Sequence, residues 1–374
     1  MFNSFPYLIL FGFFLVLYLI EDTYKNDVSV RNKVRFFCGT AFVIFFGFRG
    51  YIGSDWLNYE YSYSITSWKE WTINDYEIGY SAIAKTFAFF KISYFYFVAF
   101  ITTLQVFLLD RFLSKYPKFS VSIFYIALIA LFPVLIVDLQ RNFLSILLVM
   151  NGIALINSGN KKGFYLYVGA GMLFHLSAIV FFILPYLDRI KFKKGLLLVL
   201  FILGLIIYAL QINFYKSALS ILASAVGGRL EHLIEQSTGE TEVAYGLTIG
   251  IVEKIFLYIL IFNIYTKISK EYRLIVNACI VYLLIYFYFS TSQSFINRFA
   301  NLFFWGYILS YDQLRTYLMR LKLKPIFVFC FLTFCFLRTY VGYNSILYRY
   351  TNILVQEEDK TLRIYDRNAF YFGR

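Results

Sequence analysis

Apolar stretches long enough to cross a bilayer recur along the whole chain, and this decides its class. They fall near 4–21, 34–48, 94–110, 120–137, 142–157, 163–186, 195–211, 247–265, 273–290, 296–312 and 325–342, with a weaker one over 77–90. A hydrocarbon core of about 30 Å takes about 20 helical residues to cross. Backbone in lipid must satisfy its own hydrogen bonds, which a helix does internally. The chain therefore reads as an all-α polytopic integral membrane protein with about 11–12 transmembrane helices, some of them re-entrant or broken. A single transmembrane domain is expected over 1–342, with outer loops near 49–76 and 211–246 and an interfacial C-terminal tail over 343–374.

Composition agrees with this class. Of 374 residues, 60% are hydrophobic and only 15% charged, far from the balance of a soluble domain. The net charge of +13 does not point to nucleic acid, because the basic residues sit in short loops between apolar runs, where orientation signals belong. Cys38, Cys279, Cys330 and Cys335 all lie inside apolar segments without metal-ligand spacing, so neither a disulfide framework nor a zinc site is expected. The N-terminal run lacks a basic n-region and a small-residue cleavage site and reads as a retained first span.

The basic loops set a topology. Lys25, Arg31, Lys33 and Arg35 follow the first span, which places that loop in the cytoplasm and the N-terminus outside. Keeping the later basic loops inside requires two irregularities: 77–90 becomes a re-entrant or interfacial helix, and 163–186 enters and turns back at a break near His175. Non-helical backbone at membrane depth is tolerated where it lines a protein cavity, so both irregularities point towards a site.

With this topology several costly polar residues reach one outer face. Arg49, Asp55, Tyr59 and Glu77 flank the first outer loop, "FRGYIGSDWLNYEYSYS"; Arg141 lies in the turn "DLQRNFLSI" and Arg298 in "STSQSFINRFANLFF". Charges near or within spans normally face a cavity or one another, and three arginines around one vestibule make an anion site. The planar guanidinium donates paired hydrogen bonds to a diphosphate; snorkelling to lipid headgroups is the alternative for each arginine alone. Asp55 stands among Trp56, Tyr59, Tyr61, Trp68 and Trp71, a setting suited to sugar rings, whose apolar faces pack on aromatics while a carboxylate accepts from hydroxyls. His175 is expected either to hydrogen-bond internally with Ser177 or to contact substrate, and His232 to lie on the outer surface.

The segments "FRGYIGSDWLNYEYSY", "DYEIGYSAIAKTFAFF", "QRNFLSILLVMNGIALI", "FHLSAIVFFILPYL" and "NRFANLFFWGYILS", in this order over about 40–312, resemble the EpsG/Wzy-type family of bacterial polysaccharide polymerases. "SDW" departs from the threonine that often follows the aspartate in that family, so Trp56 would alter sugar stacking. The resemblance implies a GT-C-like glycosyltransferase of the plasma membrane, without metal or other cofactor, its active site facing outside. Its donor and acceptor would be undecaprenyl-diphosphate-linked oligosaccharides, with membrane lipids and a chain-length regulator as further partners and no nucleic acid. On the matching positions, Asp55, Glu77, Arg141 and Arg298 would be catalytic, while Arg49, Tyr59 and His175, with Trp56 at the departing position, would bind substrate.

Two other functions compete. A flippase for the same lipid-linked sugar would need charges reachable from both faces and some repeat symmetry. An O-antigen-type ligase uses the same donor and is usually marked by a large outer loop.

Overall fold

The protein is described here from a computed structural model covering residues 3–69, 76–213, 248–320 and 322–372. Trp71, His232 and almost all of the expected 211–246 loop lie outside these residues. Among the described residues, five helical segments are long and apolar enough to cross a membrane: Phe5–Thr23, Tyr94–Ser114, Ile249–Lys267, Lys270–Tyr288 and Lys324–Gly342. This is a multi-pass membrane protein. Among the described residues the other apolar runs form shorter helices, several of them interrupted, in keeping with the expected broken spans. The run 120–137, for example, is split at Phe132 into α6 (Val121–Leu131) and α7 (Pro133–Val137), since proline cannot donate its backbone hydrogen bond and clashes with the preceding turn.

The described residues form two compact units, one of Met1–Phe182 with Lys322–Arg374 and one of Ile183–Leu321. In the first unit, α1 (Phe5–Thr23), α2 (Val28–Phe42) and a π turn (Val43–Gly47) precede α3 (Trp56–Ile65), α4 (Ile78–Phe89) and α5 (Tyr94–Ser114). Every residue of α6 from Val121 to Ala130 is buried. An all-round apolar helix of this kind belongs in a core, and α6 packs against α1, α2 and α16 (Lys324–Gly342).

Next come α8 (Gln140–Asn157) and α9 (Lys161–Met172). After α9 the chain breaks and continues as a 3₁₀ segment, Leu176–Ile183. Ala178 lies against Gly171, and the Phe182 ring lies 5.2 Å from that of Tyr165. The chain thus doubles back along α9, as the basic residues at both ends of this run require. The C-terminal segment carries α17 (Lys360–Phe372).

The first unit has two distinct ends. At one, hereafter the basic end, the Glu21 carboxylate accepts from Ser120 Oγ (2.8 Å) and from the amides of Val121 (2.8 Å) and Ser122 (3.0 Å). This caps α6, whose first amides have no helical partner. Arg31 lies 3.6 Å from Glu21, and Arg35 grips Asp110 with two donors at 2.7 and 2.6 Å. The other end carries the 48–60 loop.

The second unit contains α10 (Leu184–Leu187), α11 (Lys194–Leu210), α12 (Ile249–Ile264), α13 (Arg273–Tyr288), α14 (Gln293–Phe299) and α15 (Phe304–Arg320). Asn277 on α13 accepts from Tyr265 Oη (2.9 Å) and donates to the carbonyls of Leu187 (2.8 Å) and Ile190 (3.0 Å), which ties the turn after α10 to the helix core.

Candidate functional site at the loop end of the first unit

The loop "RGYIGSDW" is shaped by what it wraps. Asp138, in the turn between α7 and α8, is buried, and its Oδ1 accepts from Ser54 N (2.6 Å), Asp55 N (3.0 Å) and Ser54 Oγ (3.2 Å). Gly53 turns the chain over it at φ +89°, and a Cβ there would lie 2.3 Å from Asp138 Oδ1. Only glycine both adopts this backbone and leaves that space. Burial pushes the Asp138 carboxyl up to about 6, and the charge of Asp55 adds to the rise, against the lowering effect of the hydrogen bonds from Asp55 and Ser54. Asp55 itself is half-buried at the start of α3.

Arg49 and Trp56 hold this loop in place. The Arg49 side chain is buried and donates to the carbonyl of Phe46 and to that of Val137 (3.2 Å). It therefore satisfies carbonyls at the ends of the π turn and of α7, which lack helical partners. Burial lowers the pKa of its guanidinium. Trp56 is buried with its ring 4.2 Å from that of Tyr51. The C-terminal segment straps the loop: Gly50 N donates to Thr351 O (3.0 Å), Gly53 N to Leu347 O (2.8 Å) and Ile353 N to Phe48 O (2.9 Å). Lys360 pairs with Glu60 at 2.8 Å.

Arg141, in the first turn of α8, forms an ion pair with Glu77, the residue preceding α4. Its guanidinium carbon lies 3.9 Å from the centre of the Tyr76 ring, 5.7 Å from that of Tyr59 and 6.0 Å from that of Tyr80. Such contacts strengthen when water is excluded. Tyr59 is buried, which raises its phenol pKa.

Glu77 Oε1 also accepts from Leu176 N at 3.3 Å, and Gly79 N donates to Leu173 O at 2.7 Å. A Cβ on Gly79 would meet that carbonyl at 2.8 Å, so glycine lets α4 dock on the break after α9. At the break, His175 Nδ1 lies 2.6 Å from Ser177 Oγ, which donates to Asn142 Oδ1 at 3.2 Å. The two irregular segments anticipated from the charge pattern therefore meet at Glu77, the partner of Arg141.

The result is a cation walled by tyrosines and paired with a carboxylate, a second carboxylate on a braced loop, and a histidine at a helix break. Such a set can bind an anion and take up a proton. Arg298 lies in the second unit, exposed at the end of α14. Among the described residues no three His, Cys, Asp or Glu side chains group as metal ligands.

Several residues here were not singled out by sequence reasoning. Tyr76 and Tyr80 bracket Glu77 in "DYEIGY": Tyr76 precedes α4 and Tyr80 lies in its first turn. Asp138 opens the turn "DLQRNFLSI" but carries no signal of its own in the sequence. In the second unit, the adjacent charges of "IVEKIF" were the missed signal. Lys254 Nζ lies 3.6 Å from Glu253 Oε2 and 4.2 Å from the centre of the Tyr286 ring, and Tyr307 Oη donates to Glu253. Charges inside an apolar helix are costly and normally pair with one another or face a cavity, as these do with each other.

A family model, the EpsG family, matches residues 32–352, and the chain belongs to that family. Membership supports a polysaccharide polymerase-like role in general terms. No match is found among curated proteins or solved structures.

Proposed function

Taking EpsG-family membership as the premise, we propose that this protein joins undecaprenyl-diphosphate-linked oligosaccharide repeat units into a surface polysaccharide on the outer face of the plasma membrane. The observation that carries the reading is Arg141, held among Tyr59, Tyr76 and Tyr80 and paired with Glu77 beside the His175 break. A guanidinium in a partly dry, aromatic-walled site is suited to a diphosphate leaving group, and its charge does the work that a cation would do in a metal-dependent transferase.

In the proposed reaction, a hydroxyl at the non-reducing end of the incoming unit attacks the anomeric carbon of the growing chain. The bond from that carbon to the diphosphate oxygen breaks, and undecaprenyl diphosphate leaves with the bonding electron pair, its charge stabilised by Arg141. Asp55 takes the hydroxyl proton. Glu77 holds Arg141 before the diphosphate arrives and exchanges it for the ligand. Tyr59 and His175 line the sugar side, while Arg49 and Trp56 act through the loop they brace. Arg298, on the second unit, is a further guanidinium for the anion, and Arg298→Ala should lower elongation per folded molecule.

Purified protein given lipid-linked repeat units in the presence of a chelator should lengthen the glycan and release undecaprenyl diphosphate. A requirement for divalent metal, or glycan that crosses a vesicle membrane without being lengthened, would overturn the reading; the second result favours a flippase.

A further inference from the structure

A groove of about 820 Å³ opens at the loop end of the first unit, between the start of α1 and the C-terminal segment. Its size falls in the range of about 300 to 1,000 Å³ common to ligand clefts. One wall carries Asn3, Phe5 and Pro6, and the other runs from Ile346 to Arg363.

The groove has a built polar floor. Arg363 Nε donates to Glu358 Oε1 at 2.6 Å and its Nη2 to Thr351 Oγ1 at 2.8 Å, while Thr351 Oγ1 also bonds Glu358 Oε2. The Arg363 and Glu358 side chains are only 4% and 3% exposed, so this network is fixed by packing. It also abuts the site loop: Gly50 N donates to Thr351 O at 3.0 Å, and a Cβ on Gly50 would collide with Glu358 Oε2.

Charge indicates the ligand class. The lining holds three carboxylates, Glu357, Glu358 and Asp359, against two guanidiniums, Arg349 and Arg363. A slight negative balance disfavours a diphosphate or an anionic lipid headgroup. Amide, carboxylate and guanidinium groups beside Phe5, Pro6 and Tyr350 instead suit a chain of uncharged sugars, whose hydroxyls both donate and accept. We infer that this groove is a saccharide subsite that holds the sugar part of the growing polysaccharide behind the loop carrying Asp55. The inference rests on the polymerase reading. A chain held here stays engaged between transfers, so the groove governs product length rather than the rate of a single transfer.

The test fills the groove without touching the site. Leu362→Trp and Gln356→Trp each place bulk in it from separate positions, so loss of fold in one leaves the other informative. Oligosaccharides cut from the source cell's own surface polysaccharide are offered to full-length purified protein, with binding followed by saturation-transfer NMR. Wild-type protein should bind them, and a folded filled variant should bind at least fivefold more weakly. Its products should be severalfold shorter, with the first transfer within twofold of wild type. The inference is overturned if wild-type protein does not bind the saccharide, or if folded filled variants bind it as wild type does. If wild-type protein binds the saccharide and the filled variants lose it, yet wild type lengthens no chain, the saccharide subsite stands and the polymerase reading fails.

Discussion

Glu21 at the basic end and Asp138 at the loop end are both buried carboxylates that take three hydrogen bonds from a neighbouring segment. They differ in what stands beside them. Glu21 has Arg31 at 3.6 Å and caps α6, so its charge is used within the fold. Asp138 faces another carboxylate, Asp55, and its acidity is weakened to about 6 by burial and by that charge. The same motif of three donors on one carboxylate thus closes one end of the unit with an ion pair and leaves the other with two neighbouring carboxylates only partly offset by Arg49. Imbalance of this kind clusters at functional sites.

Removing the balanced carboxylate should have the largest effect on stability. Glu21→Ala strips the α6 cap and removes the charge partner of Arg31, which keeps the carbonyls of Phe119, Leu113 and Tyr116; breaking a buried ion pair typically costs about 3 to 5 kcal/mol. Unfolding in detergent should show the loss, while elongation per folded molecule stays near wild type. A large loss of turnover with stability retained would erase the distinction between the ends.

Asp138 sharpens the comparison through pH. Its folded pKa is raised from 3.8 to about 6, so its contribution to stability is full below the unfolded value and is lost as pH rises through about 6. A shift of about two units corresponds to about 3 kcal/mol. Thermal unfolding of wild type should therefore lose stability between about pH 4 and 6 relative to Asp138→Asn, which lacks the titrating group. Parallel pH profiles for the two proteins would show that Asp138 is not perturbed as described.

The smallest effect belongs to the outermost strap contact. Lys360 is 45% exposed where it meets Glu60, and exposed pairs contribute about 0 to 1 kcal/mol. Lys360→Ala should leave thermal stability almost unchanged. A loss of several kcal/mol would mean that the C-terminal strap hangs on this pair rather than on its backbone bonds to Phe48, Gly50 and Gly53.

The sequence was most legible where a local pattern carried the information. Basic residues at both ends of 163–186 and "FHLSA" between them located the turn-back at His175, because charge placement and helix breaking are short-range. Arg49 was less legible: an arginine after an apolar run reads as an anion binder until the fold shows that its reach ends on the carbonyls of Phe46 and Val137. The C-terminal segment was legible only as an interfacial tail, and its pairing with the loop was not. Its backbone pairing joins Arg49 to Asn352 across some 300 residues, with no side-chain signature. Trp56 shows the same limit, since nothing local reveals that Tyr51 covers its ring.

The central claim is that catalysis lies at the loop end, on the Arg141 guanidinium, and a matched pair of substitutions tests it most directly. Arg141 and Arg35 each hold a carboxylate, at opposite ends of the same unit. Arg→Lys at either keeps the charge and removes the planar fork. In a reconstituted elongation assay, Arg141→Lys should lose about 3 to 4 kcal/mol of leaving-group stabilisation, on the order of a hundredfold or more in rate. Arg35→Lys should stay within a fewfold of wild type once corrected for folded protein. Normal elongation by Arg141→Lys, or equal losses from the two substitutions, would contradict the account.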